Sequence, residues 1–167
     1  MMPEASPFQI LTLIVAPAIL TNSSSILSLS TSNRFARTVD RSRFLYDKLK
    51  DHANLPEHEL RTYKMQLPMM SRRSGLLVRS LTCFYVSVGS FAATAFTSIL
   101  GAGSSLFQYS LASQVTTVAA IAAGSVGVIG LVLGTGLLVT EMWLALRYMA
   151  VEAKLGEEGV NIITPII

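Results

Sequence analysis

Residues 80–140 form a run of sixty-one positions without a single Asp, Glu, Lys, Arg or His. A soluble element of that length would show charge on its solvent face, so a run this long is suited to lipid rather than water. About 20 apolar residues cross the ~30 Å hydrocarbon core as a helix, which makes the run too long for one crossing and right for two that fold back. Residues 5–33 form a second uncharged run, long enough for one more crossing. The apolar stretches are continuous and lack the alternation of a membrane β-strand. The expected fold is therefore an all-α membrane protein with three transmembrane helices at about 8–29, 76–100 and 114–144. Residues 1–167 would make a single membrane domain, with a cytoplasmic helical hairpin at 31–75 and a cytoplasmic tail at 145–167.

Charge excludes other classes. The chain is 51% hydrophobic and 14% charged, outside the usual soluble balance. Eleven of the thirteen Lys and Arg lie between positions 34 and 79, interleaved with Asp40, Asp47, Asp51, Glu57 and Glu59. Such mixing suits a solvated helical surface and argues against nucleic acid as a partner. Cys83 is the only cysteine, so neither an intrachain disulfide nor a Cys-based metal site is expected, and it reads as a packing residue.

The segment before the first run has no Lys or Arg, whereas Arg34 and Arg37 follow it. A signal peptide has the opposite arrangement, so a retained helix with its N-terminus outside is expected. The loop between crossings one and two carries the eleven basic residues, and the loop between two and three carries none. The positive-inside rule then puts the basic island and the C-terminus in the cytoplasm. A multi-pass protein in a membrane with a cytoplasmic face is accordingly expected.

Within the island, Phe35, Val39, Ser42, Tyr46 and Leu49 recur at helical spacing, as do Leu60, Tyr63, Leu67, Met70, Ser74 and Leu77. Residues 52–55 with Pro56 predict the turn between these arms, and Pro68 predicts a break or kink in the second. A pair between Arg43 and Asp47 is expected to support the first arm. The Gly/Ser-rich segment 101–105 predicts the external turn, with Phe107 and Tyr109 at the interface beside it. Gly156 is expected to end the last helix, while Trp143 and Tyr148 would lie at the inner interface.

Ala123, Gly127, Gly130 and Gly134 share one face of the third crossing, and residues 130–134 match GxxxG. Small residues let backbones approach, which is a main source of helix association in lipid. The face serves either another subunit or a neighbouring helix of the same chain. Glu141 continues this face toward the cytoplasmic end, where Arg79 on an antiparallel neighbour would lie at similar depth. An Arg79–Glu141 pair is expected, with a structural role favoured over an ion path because the crossings hold no further ionisable partners. Pro17 lies in the first crossing with Asn22, which is costly against lipid and is expected to face another helix.

No constellation carries chemistry. His52 and His58 match no zinc spacing and suit an exposed turn, so no metal is expected. No Ser–His–carboxylate or Cys–His arrangement appears, and catalysis is not expected. The crossings hold no His, which excludes His-ligated haem or pigment, and no cofactor is expected.

The stretch NRFARTVDRSRFL beginning at Asn33 and the stretch QLPMMSRRSGLL beginning at Gln66 flank the cytoplasmic loop. Their NR…DRxRxL and LP…RR signatures resemble those of an uncharacterised bacterial three-helix integral-membrane family, a domain of unknown function. A Glu in the last helix, here Glu141, also fits, and the likeness runs from about Phe8 to Ala153. The resemblance implies a multi-pass protein of the bacterial inner (cytoplasmic) membrane with three membrane helices and a cytoplasmic helical loop, and no activity. The function expected is a non-catalytic accessory or scaffolding subunit, assembling with itself or with other membrane-protein subunits in the bilayer. The alternatives are a transport or channel component, with Thr21, Asn22, Ser25 and Glu141 along a polar path, and an enzyme using His52 and His58.

Overall fold

A computed structural model describes the backbone of residues 7–50, 56–106 and 110–163, and the side chains of 15–50, 56–57, 60–103 and 114–150. The described chain is all-helical. Helix α1 spans Pro7–Lys50, α2 spans Glu57–Leu106 and α3 spans Ser110–Ile163. At 1.5 Å per residue each helix is about 65–80 Å long, roughly twice the hydrocarbon thickness. Two of them contain segments long and apolar enough to cross a membrane, Leu60–Gly103 and Gln114–Ala150.

Several expected breaks are absent. The arms of the 31–75 hairpin are not separate helices, because α1 runs unbroken past residue 31 and α2 past residue 75. Pro68 lies inside α2 and Pro17 inside α1, and neither ends its helix. Residues 101–105 are the last turns of α2, not a turn, and α3 continues past Gly156. Proline and glycine each weaken a helix locally. Over 44, 50 and 54 residues, however, the remaining intrahelical bonds keep the elements continuous.

The helix starts and stops have local causes. The Leu60 N–H donates to the Pro56 carbonyl at 3.1 Å, which makes Pro56 the residue that opens α2. Lys48 and Lys50 occupy the last turn of α1, where positive charge complements the exposed carbonyls. The expected turn residues 52–55, the aromatics Phe107 and Tyr109, and the last four residues lie outside the described residues.

Burial follows a seven-residue period. On α1 it falls at Pro17, Ser24, Thr31, Thr38 and Leu45, each seven after the last, and at Ser28 between the second and third. On α2 it falls at Leu77, Ser80, Phe84, Ser87 and Phe91, and on α3 at Gly127, Gly130, Gly134 and Glu141, in steps of three, four or seven. This is the period of left-handed coiled-coil packing. The apolar stripe expected on α1 therefore has the right period and a displaced centre: Thr38 and Leu45 are buried, whereas Tyr46 is exposed.

Two compact units divide the chain. The first comprises Met1–Ser32 and Ser80–Thr135, the second Asn33–Arg79 and Gly136–Ile167. In the first unit, the Ser80 hydroxyl donates to the Gly134 carbonyl at 2.7 Å. The glycine face of α3 packs on α2. A Cβ at Gly127 would stand 2.6 Å from Phe91 Cε1, one at Gly130 2.6 Å from Ser87 Oγ, and one at Gly134 2.7 Å from Phe84 Cε1. Both phenylalanines are fully buried, so each ring fills the notch left by a missing side chain. Ala123 is half-buried beyond this series. Of the two partners open to the small-residue face, the neighbouring helix of the same chain takes the glycines.

Candidate functional site

The second unit holds the only buried ionisable group among the described residues. Glu141 is 2% exposed. Arg73 on α2 donates from Nε to Glu141 Oε1 at 2.9 Å, and its terminal nitrogen forms an ion pair with the same oxygen at 2.8 Å. Arg34 on α1 stands 3.7 Å from Oε2, close enough for charge attraction but too far for a good hydrogen bond. Three helices thus converge on one carboxylate. The side chains of Arg73 and Arg34 are 22% and 48% exposed, so the carboxylate is buried while its partners reach out.

Arg79 is not among these partners; it is exposed. Six residues separate Arg73 from Arg79, which turns the two side chains by about 240° around α2. When Arg73 faces the seam, Arg79 faces away. The Arg43–Asp47 pair is likewise absent, both side chains being exposed, where such a pair gains little.

Beside Glu141 is a cavity of about 370 Å³. Helix α1 contributes Arg34, Arg37, Thr38 and Arg41, which follow one face at steps of three, one and three. Helix α2 contributes Met70 and Arg73, and α3 supplies an apolar wall of Met142, Ala145, Leu146 and Met149 next to Glu141. Thr38 donates its hydroxyl to the Arg34 carbonyl at 2.9 Å, so it offers the cavity no free donor. Arg41 stacks over the Phe44 ring at 5.4 Å. Arg37 has no ion-pair partner among the described residues. Four guanidinium groups against one carboxylate give the lining a formal excess of three positive charges.

Asn22 sits elsewhere than expected. It is exposed, and its amide has no partner among the described residues. Two residues turn an α-helix by about 200°, so burying Ser24 at the seam puts Asn22 on the outer face. The neighbouring hydroxyls need no outside partner: Thr21 donates to the Pro17 carbonyl at 2.8 Å, Ser23 to Ile19 at 3.0 Å and Ser25 to Thr21 at 2.9 Å. The buried Ser24 and Ser28 hydroxyls make no hydrogen bond.

The described residues contain no group of three or more His, Cys, Asp or Glu placed to share a metal ion. His52 and the side chain of His58 lie outside the described residues. Cys83 is half-buried, with its carbonyl oxygen 3.1 Å from where a Cβ on Gly130 would lie. Sequence reasoning missed Arg73 and the Arg34–Arg37–Arg41 face as site residues, although the paired arginines at 72–73 and the seven-residue period were both visible signals.

No curated protein and no solved structure matches the chain significantly. A family model described as a protein of unknown function, DUF2721, matches residues 14–151. That match includes the whole of α2, most of α1 and α3, Glu141 and every arginine of the cavity, and the chain belongs to this family of unknown function.

Proposed function

We propose that the protein is a non-catalytic, multi-pass subunit of the bacterial inner membrane. All three helices cross the bilayer, the N-terminus is outside and the C-terminus inside. The subunit assembles with copies of itself or with a larger membrane complex, and α1 is the helix through which it does so. Support comes from an inverted surface: Ile19, Ile26, Leu29, Val118, Ile121 and Leu133 are exposed, whereas Ser24, Ser28, Thr31, Ser80 and Ser87 are buried. Apolar groups outside and small polar groups inside suit a solvent of lipid chains.

The single observation that carries assembly is the exposed, partnerless amide of Asn22 within the uncharged run 5–33. A carboxamide facing hydrocarbon is unfavourable, and a second helix offering a polar group relieves it. Native mass measurement in mild detergent tests this. The wild-type chain should run as an oligomer or with a bound partner, and Asn22→Leu should weaken that association by about three- to thirty-fold. A monomeric wild type without partners, or an unchanged Asn22→Leu, would sink the proposal.

The transport reading has less support. Thr21 and Ser25 direct their hydroxyls to their own backbone, and Arg73 occupies one oxygen of Glu141. Ion flux through liposomes containing the purified protein, lost on Glu141→Gln, would favour that reading instead.

A further inference from the structure

We propose that the arginine-lined cavity of the second unit is a binding site for the phosphate headgroup of an anionic membrane lipid. This rests on the membrane topology proposed above, and three observations support it independently of any activity.

The first is charge. Arg73 is engaged with Glu141 through a hydrogen bond and a close ion pair. Arg34 is held only at 3.7 Å, and Arg37 and Arg41 have no carboxylate partner among the described residues. These last three share one face of α1 and line one cavity, and the stacking of Arg41 on Phe44 leaves its guanidinium N–H groups without a carboxylate. A guanidinium recognises phosphate oxygens through paired, charge-assisted hydrogen bonds.

The second is depth. Arg34 is the first charge after the uncharged run 5–33, and Glu141 the first after the uncharged run 80–140. Both border residues line this cavity, so it lies where hydrocarbon gives way to headgroups. Basic pockets between membrane helices on the cytoplasmic side are the usual places for anionic headgroups.

The third is the opposite wall. Met142, Leu146 and Met149 line the cavity and are each about half-exposed or more. A small hydrated anion has no use for such a wall. Glycerol and the first acyl carbons do, and the flexible thioethers adapt to their shape. The volume of about 370 Å³ fits a headgroup and lies at the lower end of small-molecule sites.

The test uses the full-length protein in nanodiscs containing phosphatidylglycerol and phosphatidylcholine in equal parts, with lipids retained on detergent release counted by native mass spectrometry. The wild-type protein should retain phosphatidylglycerol preferentially, and Arg37→Gln with Arg41→Gln should cut that preference about tenfold. Arg61→Gln with Lys64→Gln removes the same charge outside the cavity and should leave the preference within about twofold. Ala145→Phe, which fills the cavity without removing charge, should lower retention as well.

Equal retention of the two lipids by the wild type overturns the proposal. So does an equal loss in the Arg61/Lys64 control, which would reduce the effect to diffuse surface attraction. Displacement of the lipid by millimolar inorganic phosphate would assign the cavity to a free anion instead. Extraction of the protein from membranes by alkaline carbonate would refute the membrane reading itself. Retention in membranes without headgroup preference would refute the lipid site alone.

Discussion

At the scale of residues, Glu141 is the group on which most depends. Its carboxylate is buried, and Arg73 is held by a hydrogen bond and an ion pair to one of its oxygens. Replacing Glu141 by Gln preserves shape but leaves Arg73 partly buried without its counter-ion. We expect a loss of about 1–3 kcal/mol, the partial exposure of Arg73 keeping it below the cost of breaking a fully buried pair. Thermal unfolding in detergent should show the same loss for Arg73→Gln, whereas Arg79→Gln should change stability by less than about 0.5 kcal/mol. If Arg79→Gln proves the damaging variant, the pairing described here is wrong. Glu141 was visible in the sequence because a lone acid at the end of a sixty-one-residue uncharged run must find a partner or water. Its partner was not, because Arg72, Arg73 and Arg79 differ in height along α2 and in where each points around it, and packing decides which one meets the carboxylate.

Among elements, α2 and α3 meet through rings set into glycine notches. Gly134→Ala would bring a methyl group to 2.7 Å from the fully buried Phe84 ring. We expect about 1–3 kcal/mol of destabilisation from overpacking. Shortening Phe84 to Leu in the same chain should recover part of it, a coupling that a double-mutant cycle reads directly. Gly136, two residues on, has nothing within 4 Å of its added Cβ. Gly136→Ala should be neutral or stabilising, since alanine is the better helix former by up to ~1 kcal/mol. Equal damage from both substitutions would show that the helix pair is not packed as described. The small-residue face was legible in the spacing of Gly127, Gly130 and Gly134. Its occupant was not, because another subunit's helix and a helix of the same chain present the same chemistry to a glycine groove. The phenylalanines at 84 and 91, spaced by seven on α2, are what the fold puts there. Continuity of the helices through Pro68 and 101–105 was also hidden, since proline and glycine mark local weakness while the many intrahelical bonds around them leave no signature in the sequence.

For the whole molecule, the testable quantity is threading. In a Cys83→Ser background, Glu57→Cys should react with a membrane-impermeant maleimide only after cells are opened, and Gln108→Cys should react in intact cells. The reverse pattern would invert the proposed orientation, and labelling of both in intact cells would remove the hairpin between them. The amino-acid order alone carries the helical class, the uncharged, apolar character of residues 80–140 and the concentration of basic charge at 34–79. Composition and period fix these wherever the chain goes, because hydrocarbon rejects charge and leaves backbone groups only each other. Only the tertiary structure decided which side chains meet: Arg73 rather than Arg79 at Glu141, Phe84 and Phe91 in the glycine notches, Asn22 outward and four arginines around one cavity. Those outcomes depend on helix rotation. One residue step turns a side chain by about 100°, and the rotation is set by the mutual fit of helices far apart in sequence.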